Sequence, residues 1–283
     1  MPHPVTRIGA VVAIGLATVG GLAYARSGSR PHARAAACNP SLSVIAHAQG
    51  SPDDLVWDGQ TLLTSDLNQG TIGVVARGHV RTLVGHIREP EGIVPGPDGS
   101  LIVAEQKTNR VLEIKLPGGS RTTLATLPLP TGKTGVDGIN ADGPAAVFVP
   151  DSARGRLYVL DLRSRKLSLV ATGMSRPVAA IKWGSAVVVA DEYANTVWKI
   201  TGHTRTRFAA VTLPDDFAVV SHHLIASSLA GAVWEVAPHI RLLSSAFSPS
   251  DPQGLVADGP DSVIVADQSR NTIYRLSRLS GCL

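Results

Sequence analysis

The sequence predicts an all-β fold: a six-bladed β-propeller whose last blade is closed by a strand from the N-terminus. Three observations predict it. A motif recurs about every 40 residues, each copy carries short runs of β-branched residues, and a stray strand at one end of the chain matches a strand missing at the other.

The best-preserved copy has Gly92-Ile93-Val94, the turn Pro97-Asp98-Gly99, a strand over 101–105 and another over 109–114. The last copy repeats this with Gly254-Leu255-Val256, 263–267 and 271–276. One strand in each copy ends on Asp66, Glu105, Asp151, Asp191, Ser227 or Asp267, at intervals of 39, 46, 40, 36 and 40 residues. Runs such as Val187-Val188-Val189-Ala190 lack a helical period and read as strands buried on both faces. The strand-end acids precede turns, where Asp side chains hold backbone amides, so a structural role is expected of them. Trp198, Trp234, Tyr158 and Tyr274 recur at one strand position, as packing residues do.

A further strand follows in five copies, for example 121–127 and 166–173, but the sixth copy runs out of chain. Leu42-Ser43-Val44-Ile45-Ala46 matches 167–171 and is expected to complete that last blade, removing a free sheet edge. Cys38 stands just before this borrowed strand and Cys282 just after the last one. A Cys38–Cys282 disulfide would replace the missing turn in an oxidising compartment. Two unpaired thiols, or a lipidated Cys38 after Ala35-Ala36-Ala37, are the other readings.

The chain has 283 residues, 44% hydrophobic and 17% charged, which suits one large packed all-β domain. Arg7, Arg26, Arg30 and Arg34 precede Cys38, and the first acid is Asp53; beyond Cys38 the chain carries 22 basic and 22 acidic residues. That neutral body has no Lys/Arg run, which argues against a nucleic-acid surface. Residues 8–25 carry no charge and end on Ala23-Tyr24-Ala25. They read as a cleaved signal peptide or, being near the length needed to span a bilayer, as an uncleaved membrane anchor. Residues 26–37 read as a flexible linker and 38–283 as the propeller. The body is expected to be secreted or anchored outside the cytoplasm, and monomeric.

Pro90-Glu91-Gly92-Ile93, Val103-Ala104-Glu105 and Asn109-Arg110-Val111 resemble NHL-type propeller repeats and the senescence-marker-protein (SMP-30)/gluconolactonase superfamily, and less closely virginiamycin B lyase. The resemblance spans 38–283. It implies a fold shared by calcium- or zinc-dependent lactonases and by propellers that only bind ligands or proteins. In the lactonases the metal ligands sit just before the Gly-apolar start of each innermost strand. Carried over, that position gives Asp54, Glu91, Asp137, Val178, Asp216 and Gln253. Asp54, Glu91, Asp137 and Asp216 are the implied ligands of a Ca²⁺ or Zn²⁺ ion in the central channel; a solvated acidic funnel without metal is the other reading. The family's site includes two Asn, which this ring lacks.

His222 and His223 lie near Asp216 in the sequence and are the candidate general bases, with His86 a weaker one. Gly132-Lys133-Thr134 resembles the end of a phosphate loop, but Leu127 stands where that loop needs Gly. The sequence therefore supports a propeller that binds a small molecule or protein on its channel face. The alternatives are a metal-dependent lactonase or esterase, and a lyase.

Overall fold

The computed structural model describes residues 39–117 and 119–283. The signal or anchor segment, the linker and Cys38 lie outside the described residues. Among those described, no helix is long and apolar enough to cross a membrane.

The described residues give first β1 (Ser41–His47), followed by β2 (Pro52–Asp58), β3 (Thr61–Asp66), β4 (Thr71–Ala76) and β5 (Gly78–Val84). Next come β6 (Pro90–Pro95), β7 (Ser100–Glu105), β8 (Arg110–Lys115) and β9 (Ser120–Thr126). A third group is β10 (Asn140–Ala141), β11 (Ala146–Asp151), β12 (Arg156–Asp161) and β13 (Leu167–Ala171). The fourth is β14 (Pro177–Trp183), β15 (Ala186–Asp191), β16 (Thr196–Thr201) and β17 (Thr204–Ala210). The fifth is β18 (Pro214–Val220), β19 (His223–Ser228), β20 (Ala232–Ala237) and β21 (Arg241–Ser244). Then β22 (Pro252–Ala257), β23 (Ser262–Asp267) and β24 (Thr272–Ser277) end the order.

The single six-bladed propeller expected from the repeats is corrected by the sheet topology. There are four four-stranded blades, β6–β9, β10–β13, β14–β17 and β18–β21, and one eight-stranded sheet in the order β2-β3-β4-β5-β1-β24-β23-β22. The cause is β1. One of its edges pairs antiparallel with β24, from Ser41↔Ser277 to His47↔Thr272. Its other edge makes a short parallel contact with β5, at Ala46↔Gly78 and His47↔His79. Both edges being used, β1 joins the first and last strand groups into one continuous sheet. That sheet bends back until its end strands touch: a Cβ on Gly254 of β22 would lie 2.3 Å from the Asp53 carbonyl oxygen of β2.

The expected Cys38–Cys282 disulfide involves Cys38, which lies outside the described residues. Cys282 is buried after a short 3₁₀ turn, Leu279–Gly281. No disulfide joins two described residues, and the partner named above, Cys38, is not among them. The visible tie between the chain's two ends is the β1–β24 backbone ladder.

The innermost strands pack on one another in turn around a channel: β2 on β6, β6 on β10, β10 on β14, β14 on β18, β18 on β22, and β22 on β2. Between the sheets lies a core of Val, Ile, Leu and Ala. β7 is buried along its whole length, as its unbroken apolar run predicts. Each turn after the strand-end acid closes on a left-handed residue, Asn109 (φ 52°), Asn195 (φ 50°) and Asn271 (φ 52°) in three of them. Asn tolerates that conformation better than other non-glycine residues. The strand-end acids reach the turn that follows, as Asp66 does at Gln69, and also the loop before the innermost strand, as Asp66 does at Ser51 and Asp191 at Arg176. Asp66 Oδ1 accepts from Ser51 N and Gln69 N, both at 3.0 Å. Asp191 accepts from Arg176 N at 2.7 Å and from the Trp198 indole at 2.9 Å.

The channel is so narrow that some positions admit no side chain. A Cβ on Gly92 would lie 2.0 Å from Ile139 N. Gly92→Ala is therefore expected to destabilise the protein by about 3 kcal/mol or more, because backbone must move to accept it. Gly281→Ala, where an added Cβ meets nothing within 4 Å, is the control expected to stay near wild type. Chemical denaturation of the three proteins checks this.

Candidate functional site

Six carboxylates gather where the innermost strands begin: Asp53 and Asp54 on β2, Glu91 on β6, Asp137 in the loop before β10, and Asp215 and Asp216 on β18. All six are buried. The cavity lined by Asp53, Asp54, Asp137, Asp215 and Asp216 is about 10 Å³, room for roughly one water-sized body.

The six divide into two tiers with different work. In the inner tier, side chains tie one strand group to the next. Asp54 Oδ2 accepts from Ile93 N at 2.6 Å, Asn140 Oδ1 from Ala180 N at 3.2 Å, and Asp216 Oδ2 from Leu255 N at 2.9 Å. Asp54 Oδ1 also takes Leu55 N at 2.7 Å, and Asn140 Nδ2 donates to Asp216 Oδ1 at 3.4 Å. The strands cannot supply these amides with ladder partners at the crowded start, so side chains do.

In the outer tier no carboxylate of Asp53, Glu91 or Asp215 is recorded accepting from a backbone amide. Side-chain amides meet them instead. Gln268 Nε2 donates to Asp53 Oδ2 at 2.7 Å and Gln106 Nε2 to Glu91 Oε1 at 2.5 Å. With its amide nitrogen turned inward, Gln253 donates to Asp215 Oδ2 at 3.1 Å. Asp53 and Glu91 lie close enough to act on each other, which crowds two buried carboxyls together. Asp137 is held by Arg176, whose NH2 group lies 2.7 Å from Asp137 Oδ2 while NH1 pairs with Glu192.

Burial is the main force on these acids, and it disfavours their charged forms. It pushes Asp53 up to about 7, with the Asp137 charge adding and the Glu91 hydrogen bond opposing. Asp216 rises to about 6 for the same reason, restrained by the amides of Leu255 and Phe217. Asp54, Glu91 and Asp215 are raised well above ordinary values by burial and by neighbouring carboxylates. Asp137 is raised by burial against the pull of Arg176. Burial works against the charge on Arg176, but Asp137 and Asp215 outweigh it and hold the guanidinium protonated.

The four implied metal ligands are thus brought to one place but do not form one set. Asp54 and Asp216 spend oxygens on backbone amides, and Asp137 pairs with Arg176. Among the described residues no three His, Cys, Asp or Glu side chains form a ready ligand cluster. Val178 lines the same cavity, and Gln253 borders it through Asp215. The sequence reading missed Asp53 and Asp215. In strand register Pro52, Pro90, Pro177, Pro214 and Pro252 are equivalent, each facing the end of the neighbouring strand. The residues that follow them are Asp53, Glu91, Val178, Asp215 and Gln253. The proline was the available signal; each Asp-Asp doublet hid which acid belonged to which tier.

His222 and His223 are not at this mouth. They occupy the β18–β19 turn, about 13 Å along the strand from Asp216 at ~3.3 Å per residue. His223 Nδ1 pairs with buried Glu235 at 2.5 Å, which also holds Arg241. His86 is exposed, and its carbonyl accepts from Arg121. Among the described residues, neither His222, His223 nor His86 lines the acidic cavity.

Comparison with known proteins places the fold. No family model and no curated relative matches the chain. Solved structures do. A gluconolactonase from Xanthomonas campestris is 17% identical, with 86% of this chain and 91% of that one covered at TM-score 0.69. A luciferin-regenerating enzyme is 14% identical, covering 84% and 95% at 0.71. A virginiamycin B lyase from Staphylococcus aureus, solved with quinupristin, is 19% identical, covering 81% of each chain at 0.63. The chain has a β-propeller fold like that of these solved structures.

Two outcomes follow from the two tiers. The folded pKa values of Asp53 and Asp216, about 7 and about 6, exceed the unperturbed 3.8. Between these limits the folded state binds more protons than the unfolded one, so stability is greatest at the acid end and falls as pH rises. Melting measured from pH 5 to 8 in chelator-treated buffer should show that fall, and Asp215→Asn should flatten it. Asp54→Ala, by contrast, strands the amides of Ile93 and Leu55 and should cost about 3 kcal/mol at pH 5, read by denaturant titration.

Proposed function

We propose that this protein is a hydrolase of the lactonase or esterase class, acting at the acidic mouth. The observation that carries the reading is the outer tier: Asp53, Glu91 and Asp215 converge, buried and crowded, without being spent on the backbone. Their oxygens are hard donors of the kind Ca²⁺ takes, and among the described residues Arg176 is the cationic partner the six carboxylates have at the mouth. Asp53, Glu91 and Asp215 would hold the cation, with the Gln253 and Gln268 amides beside them. Bound there, a divalent cation supplies Lewis-acid polarisation of an ester carbonyl and a more acidic water.

The chain's own groups do the rest. Burial pushes Asp53 up to about 7, so near neutral pH its carboxylate can take a proton from water and return it to the leaving alcohol. Arg176 fixes Asp137 and keeps the rim from repelling itself open. Gln106 holds Glu91 in place and reaches Asp137 Oδ2 at 3.3 Å. The structural likeness to a gluconolactonase and a luciferin-regenerating enzyme favours this reading over a purely binding propeller.

The test is calorimetric titration of the full chain with Ca²⁺ and Zn²⁺ at pH 7.5, followed by a lactone and ester screen with and without chelator. We expect cation binding that releases protons, a raised melting temperature, and hydrolysis lost on chelation. Asp215→Asn and Glu91→Gln should each weaken cation binding about tenfold or more, while Asp191→Asn should not. Cation binding with no turnover on any ester or lactone would leave a binding propeller. No cation binding, with turnover indifferent to chelator, would assign the chemistry to the carboxyl pair alone.

A further inference from the structure

Beside the acidic mouth lies a second cavity of about 300 Å³, lined by the loop Thr131-Gly132-Lys133-Thr134-Gly135 and by Glu89, Gln106 and Lys107. We propose that this cavity binds an anionic group, a carboxylate or a phosphate, at one end of the substrate, with Lys133 and Lys107 as its partners. The proposal rests on the hydrolase reading only for the other end of the substrate, which would lie over the mouth.

The loop is the first argument. Repeat intervals are 36 to 40 residues except one of 46, between Glu105 and Asp151, and the extra length falls here. Added loop length beside a site usually serves binding. This loop is also built to hold a shape. Buried Asn109 clamps both its ends, donating from Nδ2 to Pro128 O at 2.9 Å and accepting at Oδ1 from Val136 N at 2.7 Å. Gly135 sits so close beneath it that a Cβ would lie 2.2 Å from Gln106 O. The resemblance of Gly132-Lys133-Thr134 to a phosphate loop, set aside on sequence grounds, acquires a context: two hydroxyls, a flexible glycine and a lysine around an open cavity.

Charge is the second argument. The mouth holds six carboxylates against one guanidinium, whereas this cavity presents two lysines against Glu89. Lys107 pairs with Glu89 at 2.8 Å, but both are well exposed, so the pair is weak and an incoming anion can share Lys107. Lys133 is exposed at the loop tip. Two fields of opposite sign lie side by side, and they orient a substrate with an acidic end and an ester or lactone end.

Coupling is the third. Gln106 is 6% exposed, lines the cavity, and donates to Glu91 and Asp137 at the mouth. An anion seated against Lys107 and Lys133 is therefore one side chain away from the outer carboxylates. This is the scale of a small bifunctional molecule.

Direct binding tests the proposal without requiring turnover. Inorganic phosphate and succinate are titrated separately into the full chain in chelator-treated buffer at low salt, with heat and melting temperature as readouts. We expect at least one anion to bind, and Lys133→Ala and Lys107→Ala each to weaken it about tenfold, the double variant abolishing it. Lys166→Ala, on the β12–β13 turn at the opposite face, should bind like wild type. Binding of phosphate alone or succinate alone assigns the anion's chemistry. No binding of either anion, or binding that survives the double variant, overturns the proposal. Because no hydrolysis is measured, loss of the anion site and loss of the hydrolase reading register in different experiments.

Discussion

The start of the innermost strands is crowded to the point of backbone contact, and the rest is arranged around it. Gly92 and Gly254 allow backbones to meet there, leaving backbone amides with no sheet partner. Asp54, Asn140 and Asp216 take those amides across 39 or 40 residues of sequence. An anionic acceptor makes a stronger bond than a neutral one, but two buried charges then face each other across a narrow channel. Tight closure of the fold therefore brings with it an excess of negative charge at the mouth. The outer tier adds to that excess rather than relieving it, which is an arrangement suited to chemistry rather than to stability alone.

Much of this was legible in the sequence because turns and repeats are local. Asn109, Asn195 and Asn271 mark left-handed turn positions at the same intervals as the strand-end acids, and both series follow from the residue type. β7 and β15 are readable as buried strands from their unbroken apolar runs. That acids would gather at the strand starts was readable because Asp54, Glu91, Asp137 and Asp216 each stand near one, although Glu91 sits one register position earlier than Asp54 and Asp216.

What was not legible depends on register and on edges. Asp53-Asp54 and Asp215-Asp216 are doublets, and successive strand residues face opposite ways, so a shift of one residue exchanges a backbone tie for an open carboxylate. Nothing in the composition of β1 says that its second edge will reach β5, and that contact turns two expected blades into one eight-stranded sheet. The histidines misled for a related reason. His222 is six residues from Asp216 in sequence, but a strand carries the chain away from the mouth over that distance.

The position of β1 has a consequence for the order in which the molecule is made. Ser41 and Ser277, whose backbones pair and whose hydroxyl–carbonyl contact spans 236 residues, sit at opposite ends of the visible chain. During synthesis the four blades have all their strands before β24 exists, and each is dominated by contacts between neighbours in sequence. β1 emerges first and is used last. Closing so long a loop costs entropy that no neighbouring contact returns until the ladder forms. Assembly of the blades and sealing of the ring are thus separate kinetic events. The half-assembled chain carries two open strand edges until its final residues arrive.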